Sequence, residues 1–236
     1  KDTYGKIIEY NGEVINALYF STSCGHTADA ASAWANDVDY PYLNGKLLRA
    51  DPEVTGTSAQ NDVSGLYEDL SSEEAFRSFI TDQDFETIDS SFQWYRWNVT
   101  MDIGDIEKVI KKNLATRYQA NPNLILTMTS PEKDGKEAVF ESLPVESIGS
   151  IKDIKVLKRE SSGIITELLI IGSKKTIKVL KEYNIRALLA PVNDTLIRND
   201  GSQIANLNLL PSAFFMIDKL ETDGELTAVT ITGGGY

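Results

Sequence analysis

Cysteine and histidine each occur once in 236 residues, as Cys24 and His26. A lone thiol cannot close an intramolecular disulfide, so no disulfide framework holds this chain, and the compartment stays open because many exported proteins also lack disulfides. A lone imidazole restricts the chemistry: any histidine-based triad or histidine-bearing metal site has to use His26. Basic residues are outnumbered, 23 Lys and Arg against 35 Asp and Glu, for a formal net charge of −12. That balance argues against a protein held on nucleic acid or an anionic membrane by a broad basic field. No apolar run nears the ~20 residues of a membrane-spanning helix; the longest candidate is 168–171. With only 7 prolines, 42% hydrophobic residues and 25% charged ones, the chain is apolar enough to bury a sizeable core and is expected to fold.

Residues 7–20 read as a hairpin around an Asn11-Gly12 turn, followed by a loop of small residues from Ser21 to Thr27. A short helix is expected over 28–34, an ordered aromatic loop over 36–45 and a Gly/Ser/Thr-rich surface excursion over 51–61. Ser71-x-x-Glu74 ahead of Phe76, Phe79 and Ile80 has the form of a capping box opening an amphipathic helix. The acidic stretch 82–89 lacks the turn glycines of a calcium loop and reads as a solvated connection. Residues 92–101 alternate as a half-buried strand, with Trp94, Arg96 and Asn98 on one side and Tyr95, Trp97 and Val99 on the other. Ile106, Val109, Ile110 and Leu114 then follow at helical spacing. The last third is strand-dense: hairpins around 161–163 and Asp223-Gly224, a strand over 176–180, and a short helix over 183–189 carrying Arg186. The fold class expected is α+β, with mixed or antiparallel sheets and a few short helices. One domain over 1–236 is expected, with two lobes of approximately 1–125 and 126–236.

Cys24-Gly25-His26 is the sharpest local feature, because thiolate and imidazole both ligate zinc and the glycine lets the loop curl. Two ligands are too few, and further donors would have to come from Asp29, Asp37, Asp39, water or groups outside this sequence. The alternatives are a small buried thiol beside a loop histidine, or a nucleophilic Cys–His pair. Stacked aromatics beside Arg96 suit a carbohydrate surface as well as a core. Gly233-Gly234-Gly235 does not lie between a strand and a helix and is no phosphate loop. Among 35 acids no spacing selects a catalytic pair.

Tyr19 to Thr27 in sequence (YFSTSCGHT), then Ala33-Trp34 and Pro41-Tyr42-Leu43, resemble the stage II sporulation protein D (SpoIID) family, which includes the LytB-type amidase enhancers. Tyr95-Arg96-Trp97-Asn98-Val99, Ser162-Gly163 with Gly172 downstream, Ile185-Arg186-x-x-Leu189 and Leu210-Pro211-Ser212 agree in the same order. The resemblance implies a lytic transglycosylase that cuts denuded peptidoglycan strands between N-acetylmuramic acid and N-acetylglucosamine, leaving 1,6-anhydro ends. One Glu would protonate the glycosidic oxygen and then take the proton of the C6 hydroxyl. In the family that Glu lies in an Ala-Glu-Met-Pro-like motif before the Ser-Thr-Ser loop, and the pattern continues past Gly-Gly-Gly-aromatic into a Gly-His-Gly motif. Neither motif occurs here, so the catalytic residue is unknown, both ends of the domain are expected to be missing, and the chain alone is expected to be inactive. The resemblance further implies Ser21, Ser23, Thr27, Tyr95 and Arg96 along a glycan groove. Cys24, with His26, would be the metal ligands if zinc binds; no cofactor is required. The partners implied are peptidoglycan glycan strands and other cell-wall hydrolases, with no nucleic acid, at the cell envelope or outside a spore-forming bacterium. The alternative is a non-catalytic glycan-binding or amidase-enhancer module.

Overall fold

The structure is a computed structural model that describes residues 4–33, 40–50 and 65–236. Asn11 and Gly12 take φ of 52° and 82°, the left-handed pair that a two-residue hairpin turn requires. They join β1 (Glu9–Tyr10) to β2 (Glu13–Val14), so the hairpin expected over 7–20 is real but only two residues deep on each side. Both strands are exposed, and a lone ribbon without a face to bury has little to extend it. Tyr42 ties it down: its phenol oxygen accepts from the Asn16 N–H at 3.1 Å and its ring meets Tyr10 at 5.5 Å. The helix expected over 28–34 is α1 (Ala30–Ala33). Trp34, the loop up to residue 39 and the excursion over 51–61 lie outside the described residues.

Helix α2 (Glu73–Thr81) buries Phe76, Phe79 and Ile80 as its periodicity predicts. Its cap sits one residue later than the expected box. Asp69 accepts the Ser71 N–H at 2.9 Å, and Ser72 caps the helix by accepting from Ala75 N–H at 3.1 Å. The strand expected over 92–101 is likewise shortened, to β3 (Trp97–Asp102). The Asn199 side chain donates to the Ser90 and Phe92 carbonyls at 2.9 and 3.3 Å, and Tyr95 N–H donates back to Phe92. These bonds hold residues 90–95 as a turn. Trp97, Val99 and Met101 point inward and Asn98, Thr100 and Asp102 outward, the alternation the sequence carries.

Strand β3 runs directly into α3 (Ile103–Ala120), which buries Ile103, Ile106, Val109, Ile110 and Leu114. Then come β4 (Ile125–Ser130), β5 (Val139–Glu141), β6 (Ile151–Arg159), β7 (Ile165–Gly172) and β8 (Thr176–Leu180). The chain continues as α4 (Glu182–Leu188), β9 (Thr195–Arg198), β10 (Gln203–Ala205), β11 (Phe215–Thr222) and β12 (Glu225–Gly233). The last hairpin turns at Asp223 and Gly224, with φ of 53° and 80°. Two five-stranded sheets result, in the orders β10-β9-β3-β12-β11 and β5-β4-β8-β7-β6, with every neighbouring pair antiparallel. The class is α+β. Strand β3 is thus the central strand of a sheet whose other members come from residues 195–233.

One core joins Trp97, Val99 and Met101 of β3 to Ile106 and Ile110 of α3 and to Leu168, Ile170 and Ile177 of the second sheet. A smaller aromatic core gathers Cys24, Phe76, Phe79, Phe85 and Phe214. Arg159 bolts α2 over it: the guanidinium lies 3.6 Å from the Phe76 ring centroid, donates to the Gly163 and Phe215 carbonyls at 2.8 and 3.0 Å, and pairs with Glu73 at 2.9 Å. That clamp sets where the C-terminal end of α2 projects.

Candidate functional site

A cleft of about 520 Å³ opens at that end of α2, within the size range of small-ligand sites. The helix and the acidic stretch after it contribute Thr81, Asp82 and Glu86; the turn before β3 contributes Tyr95 and Arg96 and the strand's start Trp97 and Asn98; the end of β9 and the residue after it contribute Arg198 and Asn199, and β12 contributes Thr232. Tyr95 and Trp97 are buried and form its base. Asp82 is held as an acceptor: the N–H groups of Asp84 and Phe85 donate to Oδ1 at 2.9 and 3.1 Å, and the Tyr67 hydroxyl donates to Oδ2 at 2.9 Å. Burial, with that bond to Asp82, pushes the Tyr67 phenol up to about 12. Glu86 is exposed.

Arg96 joins the cleft to the Ser21–Thr27 loop. Its Nη1 donates to the carbonyls of Cys24 at 2.8 Å and Tyr95 at 2.9 Å, its Nε to Ile80 at 3.2 Å, and its Nη2 to the Tyr95 hydroxyl at 3.2 Å. The guanidinium lies 3.9 Å from the Tyr95 ring centroid. Burial pulls its pKa below the ordinary arginine value, against the pull of Tyr95 and Cys24.

Behind Arg96, three backbone segments meet. Thr22 and Tyr236 exchange N–H···O bonds at 3.0 and 3.2 Å, Gly235 N–H donates to Trp94 at 2.8 Å, and Trp97 Nε1 donates to Gly235 at 3.2 Å. The Tyr236 ring stacks on Trp94 with centroids 4.6 Å apart. A Cβ on Gly234 would fall 2.5 Å from the Tyr95 carbonyl and 3.1 Å from Cys24 Cβ, so glycine is what permits this approach.

Of the residues nominated from sequence, Tyr95 and Arg96 line the cleft and Ser21, Ser23 and Thr27 do not. Ser21 is exposed, with its N–H on the Tyr236 carbonyl at 3.1 Å. Ser23 is buried: its hydroxyl accepts from Gly25 N–H at 3.2 Å and its own N–H donates to Asp89 at 2.7 Å. Thr27 uses its hydroxyl to accept from Lys46 N–H at 2.9 Å. The Ser23 and Thr27 hydroxyls shape the loop. Asp82, Glu86, Arg198, Asn199 and Thr232 also line the cleft and carry no local sequence motif. Asn98 is signalled only by the alternation that places it with Arg96.

Cys24 and His26 turn to their own loop. The thiol donates to the His26 carbonyl at 3.1 Å, and burial pushes it up to about 11, away from the thiolate that ligates zinc. His26 Nδ1 meets the Thr27 carbonyl at 2.8 Å, so Nδ1 carries the proton, and Nε2 is buried with no partner among the described residues. The described residues gather no group of three His, Cys, Asp or Glu that could hold a metal. Asp29 accepts from Gly45 N–H at 2.7 Å, and Asp37 and Asp39 lie outside the described residues. As placed, the two side chains bond to carbonyls of their own loop, and no third ligand joins them among the described residues.

Two results follow for Cys24. Native protein at pH 8 should react with iodoacetamide at least tenfold more slowly than urea-unfolded protein. The stabilisation from its protonated form is complete below the unfolded thiol pKa of about 9 and is lost as pH rises toward about 11. Urea titrations at pH 8 to 11 should therefore show an alkaline loss of stability that Cys24→Ala reduces.

Fold and site together define an α+β protein with a mixed-charge cleft set on buried aromatic residues. Over 98 residues, 40% of the chain, the sequence is 31% identical to a protein of Bacillus subtilis (strain 168) named amidase enhancer. The chain spans 13% of that relative's length. No family model matches the chain, and no solved structure matches it. Among the described residues no helix is long and apolar enough to cross a membrane.

Proposed function

We propose that this chain acts at the bacterial cell envelope, where its cleft binds glycan strands of peptidoglycan as part of a lytic transglycosylase of the SpoIID type. The observation that carries this is convergence. The Ser21–Thr27 loop, Tyr95-Arg96-Trp97 and the glycine run, the segments that carry the family resemblance, join through the Arg96–Cys24 and Trp97–Gly235 bonds beside one cleft. The amides of Asn98 and Asn199, the Thr81 and Thr232 hydroxyls and the carboxylates of the lining are groups that hydrogen-bond sugars. The similarity to an amidase enhancer supports a cell-wall setting.

Acid catalysis of glycoside cleavage needs a carboxyl that is desolvated enough to hold its proton. Glu86 is exposed and Asp82 accepts three hydrogen bonds, so the cleft is built to bind rather than to donate a proton. Incubated with denuded strands, this chain is expected to bind them and to release no 1,6-anhydro products, as read by mass spectrometry; anhydro products from this chain alone would overturn that division of labour. The same cleft carboxylates favour a second role, a glycan-binding enhancer of a partner amidase. Joining a segment with the Ala-Glu-Met-Pro-like motif ahead of Lys1 separates the two. A transglycosylase then yields anhydro ends that vanish when that glutamate is changed to alanine. An enhancer yields none, and accelerates stem-peptide release by an amidase.

A further inference from the structure

Donors and acceptors are unevenly committed around the cleft. The cations of its lining are Arg96 and Arg198, and both are engaged within the protein. Arg96 gives its N–H groups to the carbonyls of Cys24, Tyr95 and Ile80 and to the Tyr95 hydroxyl. Arg198 donates from Nη1 to Gln93 Oε1 at 3.0 Å, lies 5.3 Å from the Trp94 ring centroid and has Asp200 as its electrostatic partner. The acids of the lining are less committed. Asp82 accepts from two backbone N–H groups and the Tyr67 hydroxyl, but among the described residues no cation pairs with it. Glu86 is freer still. It is exposed, and among the described residues its carboxylate meets neither a cation nor a hydrogen-bond donor. Its backbone is nevertheless fixed, because its carbonyl accepts the Ala50 N–H at 3.2 Å. A wall of uncommitted acceptors selects a ligand that brings donors, and a positively charged donor most strongly.

Resting on the glycan reading above, we propose that Glu86 is a specificity-determining residue whose carboxylate receives the ammonium group of an amino sugar in the cleft. In a glycan strand the group of that chemistry is the free 2-amino group of a glucosamine that has lost its acetyl group. Asp82, from the same acidic stretch, adds a second negative charge whose position its three donors fix beforehand, so little side-chain freedom is lost there on binding. An acetylated sugar brings a neutral amide N–H in place of the ammonium and forgoes the charge-assisted bond. The same wall repels the lactyl carboxylate of a neighbouring muramic acid, so the strand lies with its amino sugar toward Glu86.

The test is titration calorimetry of the whole chain with tetraglucosamine and with its fully acetylated counterpart, chitotetraose, at pH 6 and pH 9. At pH 6 wild type is expected to bind tetraglucosamine about three- to fivefold more tightly, the scale of one partly exposed ion pair. A sugar amine, like an α-amino group, loses its proton around pH 8, so the preference should be gone at pH 9. It should also shrink as sodium chloride rises. Glu86→Gln should bind the two tetramers alike at pH 6. Glu141→Gln, which removes the same charge from β5 in the other sheet, should keep the wild-type preference. Equal affinity of wild type for the two tetramers at pH 6 needs no variant to interpret and overturns the role of Glu86 while leaving the glycan reading intact. A preference that survives in Glu86→Gln also overturns it, as does one that falls equally in Glu141→Gln, which would trace it to the net charge of −12. Binding of neither tetramer overturns it as well, and a denuded GlcNAc–MurNAc tetrasaccharide that also fails to bind overturns the glycan reading.

Discussion

Replacing Arg96 with methionine is expected to lower the free energy of unfolding by roughly 3 kcal/mol and to abolish glycan binding. The side chains are similar in length, so the loss is chemical. Arg96 supplies the N–H groups accepted by the carbonyls of Cys24, Tyr95 and Ile80, and each buried carbonyl left without a donor costs about 1–3 kcal/mol. The carbonyls belong to the Ser21–Thr27 loop, the turn before β3 and the end of α2, three segments with no continuous strand between them. Removing the guanidinium therefore uncouples the loop from the cleft as well as weakening the fold. Lysine should recover little, because a point ammonium cannot span the positions that the planar fork reaches. Urea unfolding and glycan titration of both variants check this; an unchanged midpoint with unchanged binding in Arg96→Met would contradict it.

Trp97→Ala is expected to be more damaging, costing about 3–5 kcal/mol of a total that for a domain is typically about 5–15 kcal/mol. Trp97 is 1% exposed at the start of β3, against Gly233, where its ring occupies the space a side chain would need. Truncation opens a cavity in the main core and removes the indole bond to Gly235, so the glycine run loses its hold beside Cys24. Trp97→Phe keeps one aromatic ring in the core but loses both the indole N–H, worth about 1 kcal/mol, and the outer ring atoms that pack on Gly233. Thermal unfolding of the pair should thus show a large drop for alanine and a smaller one for phenylalanine. Equal drops would mean that the indole N–H and its outer ring, not the rest of the packing, are what Trp97 contributes.

Local pattern carried much of this fold. The α3 stripe at Ile106, Val109, Ile110 and Leu114, the hairpins turning near Ser162-Gly163 and at Asp223-Gly224, and the inward set Trp97 and Val99 are all written at short range, where period and turn chemistry act. What was not legible depends on partners distant in sequence. The strand expected from residue 92 stops short because Asn199, more than a hundred positions away, takes its carbonyls. The acidic stretch 82–89 looked like a solvated connection, yet Asp89 grips the Ser23 N–H and Asp82 accepts Tyr67. Arg198 and Asn199 reach the cleft because β9 pairs with β3 at Trp97 and Asn98, and no local motif announces an antiparallel pairing across that separation. Strands β5, β9 and β10 are only three or four residues long and carry too little pattern to read, while β4 alternates in burial but places Thr127 inward and Leu126 and Met128 half-buried, so its apolar residues do not mark the inner face. The small residues of the Ser21–Thr27 loop do permit close approach, as expected, but what approaches is the chain's own backbone at Gly234 and Gly235.

The central claim is that one cleft, made by α2, the start of β3 and β9, is where this chain holds a glycan strand. Two-dimensional amide NMR of the whole chain, titrated with a denuded GlcNAc–MurNAc tetrasaccharide, tests it most directly. Saturable shifts should concentrate on Asp82, Glu86, Arg96, Asn98, Asn199 and Thr232, and leave the groove between α3 and residues 146–149 unmoved. Shifts centred on that second groove or on the exposed β1–β2 hairpin, or no shifts at millimolar ligand, would contradict the account.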